Sequence, residues 1–404
     1  MKMNFRLKKV AGLMIVALAC LWTAGALAAN GWPMDIPIPN NDPQWEKVKS
    51  LWANHYDGKN FDELIAALTP LKEKYPDSWE CALWIAEVNY MHGRRIRENR
   101  EKYFAEAEKL AAQVAKQDPK NTLAIRILVD TLGYSRDREY IFKNYGALIK
   151  SAAPLEGGEA IPYMKSSPEW DAFKKLWDQR VNIENAKAAV PLIEKIADSR
   201  PNDGLAQTWA SYANYFCGQY YTGQNEHDTK AMFFYKKGIG YGEKAMKLSP
   251  RSVPANYWYQ ANLARSIQFT SLMNQARYLM DLLKPLLFCS YENNSYHYYG
   301  PVLTLATMIT NGGWVTEKGM GIAGITLEME MNGLEMAEIL CPTYYYIPYA
   351  RADVLSAKGK KKEALEILDK LLAKNPDIDP AVPDNRTYLN LARLLQNDIK
   401  SRKR

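Results

Sequence analysis

The sequence predicts an all-α protein: a right-handed array of stacked helical hairpins with an internal duplication. Three observations carry this. "PQWEKVKSLW" (Pro43 to Trp52) is nearly rewritten 125 positions later as "PEWDAFKKLW" (Pro168 to Trp177). Apolar residues recur every three or four positions through most of the chain, the spacing of one helix face. Proline or an Asp-Gly or Gly pair then closes many of these stretches, as expected where helices stop and turn.

The echo extends at a fixed offset of 125. Trp45 meets Trp170, Leu51 meets Leu176, Trp52 meets Trp177, Pro76 meets Pro201, and "WIAEVNYMHG" (Trp84 to Gly93) meets "WASYANYFCG" (Trp209 to Gly218). Six further residues enter the second copy before Pro119 pairs with Pro250. Within a copy the unit is a hairpin. In Trp45 to Pro76, Val48, Leu51 and Trp52 form one stripe, Asp57-Gly58 breaks it, and Phe61, Leu64, Ile65, Leu68 and Leu71 form the next. A lone hairpin cannot bury such stripes, so neighbours must stack.

The clearest hairpin is the last, Tyr345 to Pro376: Ala352 and Ala364 fill close-contact positions, Gly359 turns the chain, Leu368 and Leu371 line the second helix, and Pro342 lies 34 residues before Pro376. This pattern resembles the tetratricopeptide repeat, which implies a tetratricopeptide-like solenoid. Trp52 and Trp177 stand where that family prefers Gly or Ala, so their hairpins must pack differently. "YMHGRRIRENREKY" (Tyr90 to Tyr103) adds nine residues between its two helices.

The organisation expected is a signal peptide over 1–28, a first helical-repeat unit over 29–150, a linker over 151–167, a second unit over 168–283, and C-terminal repeats with a capping helix (Arg386 to Arg404) over 284–404. Lys2, Arg6, Lys8 and Lys9 precede the apolar run Ala11 to Trp22, and Ala26-Leu27-Ala28 has the small-x-small form of a cleavage site. The chain is therefore expected to be exported to the periplasm with no membrane span after cleavage. The rival reading keeps Val10 to Ala29 as an anchor. The signal holds four basic and no acidic residues, so the net charge falls from +7 to +3, too mild for a nucleic-acid surface. The basic runs "RRIRENR" (Arg94 to Arg100), "KGKKKE" (Lys358 to Glu363) and "SRKR" (Ser401 to Arg404) read as solvated turns and a tail. Cys81, Cys217, Cys289 and Cys341 can form disulfides or remain buried thiols.

No catalytic or metal motif is found, and no cofactor is expected. "GMGIAG" (Gly319 to Gly324) spells a dinucleotide fingerprint without the strand that should precede it; it reads as a Gly-rich loop between helices after a loop-like "NGGWVTEK" (Asn311 to Lys318). His55, His92, His227 and His297 are far apart and read as packing or helix-end residues. What stands out is tyrosine, in "FCGQYYTG", "NYWYQANLAR", "SYHYYGPVL" and "CPTYYYIPYAR". These rings are either core wedges or the lining of a groove. The candidate groove residues are Tyr257, Trp258, Arg265, Tyr298, Tyr299, Tyr345 and Arg351, with the two arginines able to meet a carboxylate.

Tyr299-Gly300-Pro301, "CPTYYYIPYARAD" and "SPRSVPANYWYQANLAR" (Ser249 to Arg265) together resemble the exported T-component found with tripartite periplasmic transporters. The resemblance covers about half the chain and leaves the duplicated Trp-rich half unplaced. It implies an all-helical periplasmic protein that binds a solute-binding protein and has a channel for an apolar or carboxylate ligand. The expected work is recognition: an adaptor or scaffold that binds a protein partner in the envelope or, alternatively, a ligand-handling accessory of such a transporter.

Overall fold

A computed structural model describes residues 36–55, 60–95, 98–152, 161–222, 228–270, 277–322, 325–376 and 384–401. The signal-peptide segment and His227 lie outside these residues. Among them are seventeen α-helices and no strand. The helices are grouped in two compact units.

The N-terminal unit holds α1 (Gln44–Trp52), α2 (Phe61–Lys74), α3 (Trp79–Arg95), α4 (Arg100–Gln117), α5 (Thr122–Ser135) and α6 (Arg138–Ser151), together with α14 (Leu327–Leu340). The C-terminal unit holds α7 (Pro168–Trp177), α8 (Ile183–Ser199), α9 (Gly204–Tyr221), α10 (Asp228–Leu248), α11 (Val253–Ile267), α12 (Leu279–Glu292), α13 (Tyr296–Ile322), α15 (Tyr346–Ala357), α16 (Lys361–Leu372) and α17 (Asn385–Ser401). Consecutive helices pack on one another within each unit, giving the expected stacked hairpins.

The echo is structural, and it reaches further upstream than the quoted repeats. Trp84 Nε1 donates to the Pro37 carbonyl at 3.4 Å, and Trp209 Nε1 donates to the Pro162 carbonyl at 3.0 Å, both pairs 125 residues apart. Ile36 and Ile161, the residues before those prolines, are both buried. Trp52 meets Trp84 edge-on with centroids 5.5 Å apart, and Trp177 meets Trp209 edge-on at 6.3 Å. His55 bonds the Trp52 carbonyl and Arg180 the Trp177 carbonyl, again at matching positions. The Asn121 side chain caps α5 at Ala124 N and Ser252 caps α11 at Ala255 N, now offset by 131 after the six-residue insertion. Trp52 and Trp177 thus replace the small residues of the usual hairpin by using their bulk as the core itself.

Close helix approach is set by glycine at one repeated point. A Cβ on Gly93 would meet the Phe104 ring at 2.9 Å, and one on Gly218 would meet the Tyr235 ring at 2.6 Å. In the last hairpin, Ala352 and Ala364 are fully buried, and Gly359 takes the left-handed φ of +82° that its turn requires. Ala364→Leu is expected to cost about 1–3 kcal/mol by overpacking α15 against α16. An unchanged urea midpoint would show that Ala364 has room to grow.

Four expectations are corrected. Asn311 to Lys318 is helix, and Gly319 to Ile322 end the same helix, because α13 is anchored upstream by buried Val302, Leu303, Leu305 and Ile309 and downstream by Met320. That anchorage outweighs the cost of interior glycines, about 1 kcal/mol each. The 151–167 linker is core in its second half, since Ile161 and Met164 are buried and Pro162 receives Trp209. The C-terminal block 284–404 is not one piece: α14 packs on α5 and α6 of the N-terminal unit. Around the nine additional residues α3 runs on to Arg95 and α4 starts at Arg100, and Arg94 is buried rather than solvated. By contrast, Lys358 to Glu363 are exposed, as a solvated turn should be. Among the described residues Cys81, Cys217, Cys289 and Cys341 are buried free thiols, and burial pushes those of Cys217 and Cys341 up to about 12.

Candidate functional site

The tyrosines converge in the C-terminal unit. Tyr212 and Tyr215 come from α9, Tyr235 from α10, Tyr257 and Trp258 from α11, Tyr296 and His297 from the start of α13, Tyr346 and Tyr349 from α15, and Tyr388 from α17. Their rings form a continuous chain. Tyr212 stacks on Trp258 at 4.0 Å, Trp258 meets His297 at 4.7 Å, Tyr298 stacks on Tyr344 at 4.4 Å, and Tyr346 stacks on Tyr388 at 4.6 Å. Ring pairs of this geometry each add about 0.5–1.5 kcal/mol beyond the area they bury.

Backbone geometry aims the α13 rings. His297, Tyr298 and Tyr299 have φ of 45°, 55° and 62°, three successive non-glycine residues in the left-handed region. Each costs about 1–2 kcal/mol, so such a turn persists only where its surroundings demand it. Here the demand is ring packing on Trp258 and Tyr344. The next residue, Gly300, lies so close to Tyr257 that a Cβ would fall 2.0 Å from its hydroxyl.

Arg265, on α11, is the cation of this cluster. Its guanidinium lies 5.5 Å from the centre of the Tyr346 ring, is hydrogen-bonded with Tyr215, and is within electrostatic reach of Tyr388 and Tyr235. Among the described residues no carboxylate lies within ion-pair distance of it. Asp384 is within electrostatic reach of Arg180 and Arg265, but burial pushes its carboxyl up to about 6. Burial and the Arg180 charge push His297 down to about 3, so its imidazole is neutral. Burial also raises Tyr215, Tyr235, Tyr257, Tyr344, Tyr349 and Tyr388, keeping these phenols protonated. Arg265, His297, Tyr349 and Asp384 are densely surrounded by protein, yet each retains accessible surface. Each of these side chains therefore reaches the surface from within the ring cluster.

Of the candidate residues, Tyr257, Trp258, Tyr298 and Arg265 are brought together by this ring chain. Tyr299 is buried, and Tyr345 is a fully buried core ring whose hydroxyl donates to the Asn375 carbonyl. Helical spacing sets Arg351 on the opposite side of α15 from Tyr346 and Tyr349. Sequence reasoning missed Tyr215, Tyr346, Tyr388, Arg180 and Asp384 as members. Tyr346 lay in a stretch already noted for tyrosine and Tyr215 directly precedes another, whereas nothing local marks Arg180 or Asp384.

Elsewhere, His55 stacks on Trp52 at 4.0 Å and His92 lies against Tyr103 at 3.8 Å, both as packing residues. Among the described residues no group of three or more His, Cys, Asp or Glu is placed to hold a metal ion, and no helix is long and apolar enough to cross a membrane.

No protein-family model matches the sequence, and no curated protein matches it either. Among solved structures, a thermophilic tetratricopeptide-repeat protein of Thermus thermophilus, TTC0263, aligns at 17% identity over 56% of this chain and 99% of its own, with a TM-score of 0.37. Yeast Tom70 aligns at 14% identity over 88% of this chain and 89% of its own, with a TM-score of 0.22.

Proposed function

We propose that this chain is an exported binding protein of the cell envelope, working by recognition rather than turnover, whose ring-lined recess takes a carboxylate-bearing ligand with an apolar body. The observation that carries the reading is Arg265: a permanent cation in a tyrosine-walled recess with no carboxylate in ion-pair contact among the described residues. A ligand carboxylate would supply the acceptor that a guanidinium fork matches, and the rings would cover the rest of the molecule. This is the ligand-handling role implied by the likeness to the transporter-associated component, and the N-terminal segment supports export.

Arg265→Met is expected to weaken ligand binding about 10- to 100-fold, the worth of one charge-assisted hydrogen-bond pair, with helicity unchanged. The ligand is obtained by native mass spectrometry of protein taken from its own periplasm, and its affinity for parent and variant is then measured by calorimetry. A ligand without an acidic group, or one held equally by the variant, would sink the reading.

The adaptor reading has its own support. Phe233 and Tyr220 are exposed on α10 and α9, and their neighbours Phe234 and Tyr221 stack at 6.0 Å, leaving an aromatic patch of the kind partner proteins cover. A solute-binding protein is the partner proposed. Co-purification that is lost in Phe233→Ser, with the ligand retained, would assign that patch to the partner.

A further inference from the structure

The duplication makes each unit a copy in which the other can be read. At offsets of 125 and 131, Tyr90 corresponds to Tyr215, Arg94 to Gln219, Phe104 to Tyr235 and Tyr134 to Arg265. In the C-terminal unit these positions converge: Tyr235 Oη donates to Gln219 Oε1 at 3.2 Å, Gln219 Nε2 donates to Tyr388 Oη at 3.3 Å, and Arg265 faces Tyr215, Tyr235 and Tyr388. They converge in the N-terminal unit as well. Arg94 donates to Tyr90 Oη at 3.2 Å and to Tyr134 Oη at 3.0 Å, and it lies over the Tyr134 ring at 4.0 Å. Each unit therefore sets one guanidinium among tyrosines at the same place, supplied by α3 in one copy and by α11 in the other.

The two differ in what that guanidinium faces. In the C-terminal unit it faces the phenol of Tyr388. In the N-terminal unit α14, nearly two hundred residues downstream of α5, delivers a carboxyl group: Tyr134 Oη, which accepts from Arg94 at 3.0 Å, donates to Glu330 Oε1 at 3.3 Å. Glu330 and Arg94 are both buried. The helix is seated by backbone contact of Gly133 with Gly333 and held at its rim by Arg138 with Glu335, 2.7 Å apart. Neither oxygen of Asp130, which is within reach of the Arg94 charge, accepts a hydrogen bond, so Glu330 is the carboxyl bonded into the cluster.

We propose that Arg94 and Tyr134 form a second position that binds a carboxyl group, and that the Glu330 side chain of α14 is its built-in occupant, closing it in cis. The assignment rests on reading Arg265 as a carboxylate receptor, but its test is run with Arg265 removed. Glu330→Ala deletes the atoms of one acetate, so acetate is the probe. Both chains carry Arg265→Met to remove the other position, and melting is compared in sodium acetate and sodium chloride at equal ionic strength and pH 7. Acetate is expected to raise the melting temperature of the Glu330→Ala chain by about 3 °C and to leave the chain with Glu330 intact unmoved. Adding Arg94→Met should abolish the rise. Equal melting in the two salts would overturn the proposal.

If Glu330→Ala does not fold, amide exchange of the parent chain provides the test. Acetate that traps the opened position should speed exchange in α14, and identical protection with and without acetate would also overturn the proposal. A null acetate result alongside ligand loss in Arg265→Met would defeat this inference alone. Retained ligand in Arg265→Met would defeat the reading of the recess.

Discussion

Trp209→Ala is expected to destabilise the protein by about 3–5 kcal/mol, the usual cost of removing a large aromatic from a packed core. Trp209 has ring neighbours on every side: Trp170 at 5.4 Å, Phe173 at 5.8 Å, Tyr163 at 5.9 Å, Tyr212 at 6.0 Å and Trp177 at 6.3 Å. Its indole N–H is also the donor that ties the Pro162 carbonyl to the core. The substitution would leave a cavity bounded by rigid rings that collapse poorly, and it would strip a backbone acceptor of its partner. Denaturant unfolding of the purified variant measures this. A loss below about 1 kcal/mol would mean the ring cluster repacks, contrary to its role as the keystone of the second copy.

Stability is expected to fall as pH rises from about 6.5 to 8, by about 2–3 kcal/mol. Burial raises Glu330 to about 8 and Asp130 to about 7, against unfolded values near those of ordinary carboxyls. A carboxyl raised in the folded state holds its proton there after the unfolded chain has lost it. Its contribution is complete below the unfolded value and disappears as pH climbs through the folded one. His297, pushed down to about 3, and His92, lowered by burial, act oppositely, with stability gained as pH rises toward the ordinary histidine range. Between about 6.5 and 7.5 the end of the unfolded-state histidine titration offsets part of the fall, and above that the raised carboxyls set the slope. Urea midpoints at pH 6.5 and 8 test this, and Glu330→Gln should remove most of the difference. A flat or rising profile would show that Glu330 is ionised in place, paired with Arg94.

Much of the fold was legible because its determinants are local. Trp45, Val48 and Trp52 have helical spacing, Ser167 and Ser252 sit at helix starts with proline following or near, and Pro76 and Pro201 follow helix ends. Each acts within a turn or two of its own position. The tyrosine-rich stretches marked where the recess would form, yet composition could not separate Tyr345, which locks the last hairpin, from Tyr346 beside it, which faces Arg265. One residue is 100° of helix, and the difference depends on what lies opposite. The glycines of "NGGWVTEKGMG" pointed to a loop because local propensity favours one, and the buried residues on either side held the helix instead.

The sequence by itself determined an all-α chain of helical hairpins, its duplication, and the neighbourhoods rich in rings. These follow from periodicity, capping and repeat, which are read between residues close together or at a constant offset. Only the tertiary structure decided that α14 joins the N-terminal unit, that Arg94 is buried there against Tyr134 with Glu330, and that Arg265 faces phenols with no carboxylate in ion-pair contact. Those outcomes depend on burial and polar contact between residues more than two hundred positions apart. Burial is a property of what surrounds a side chain, so spacing along the chain cannot reveal it.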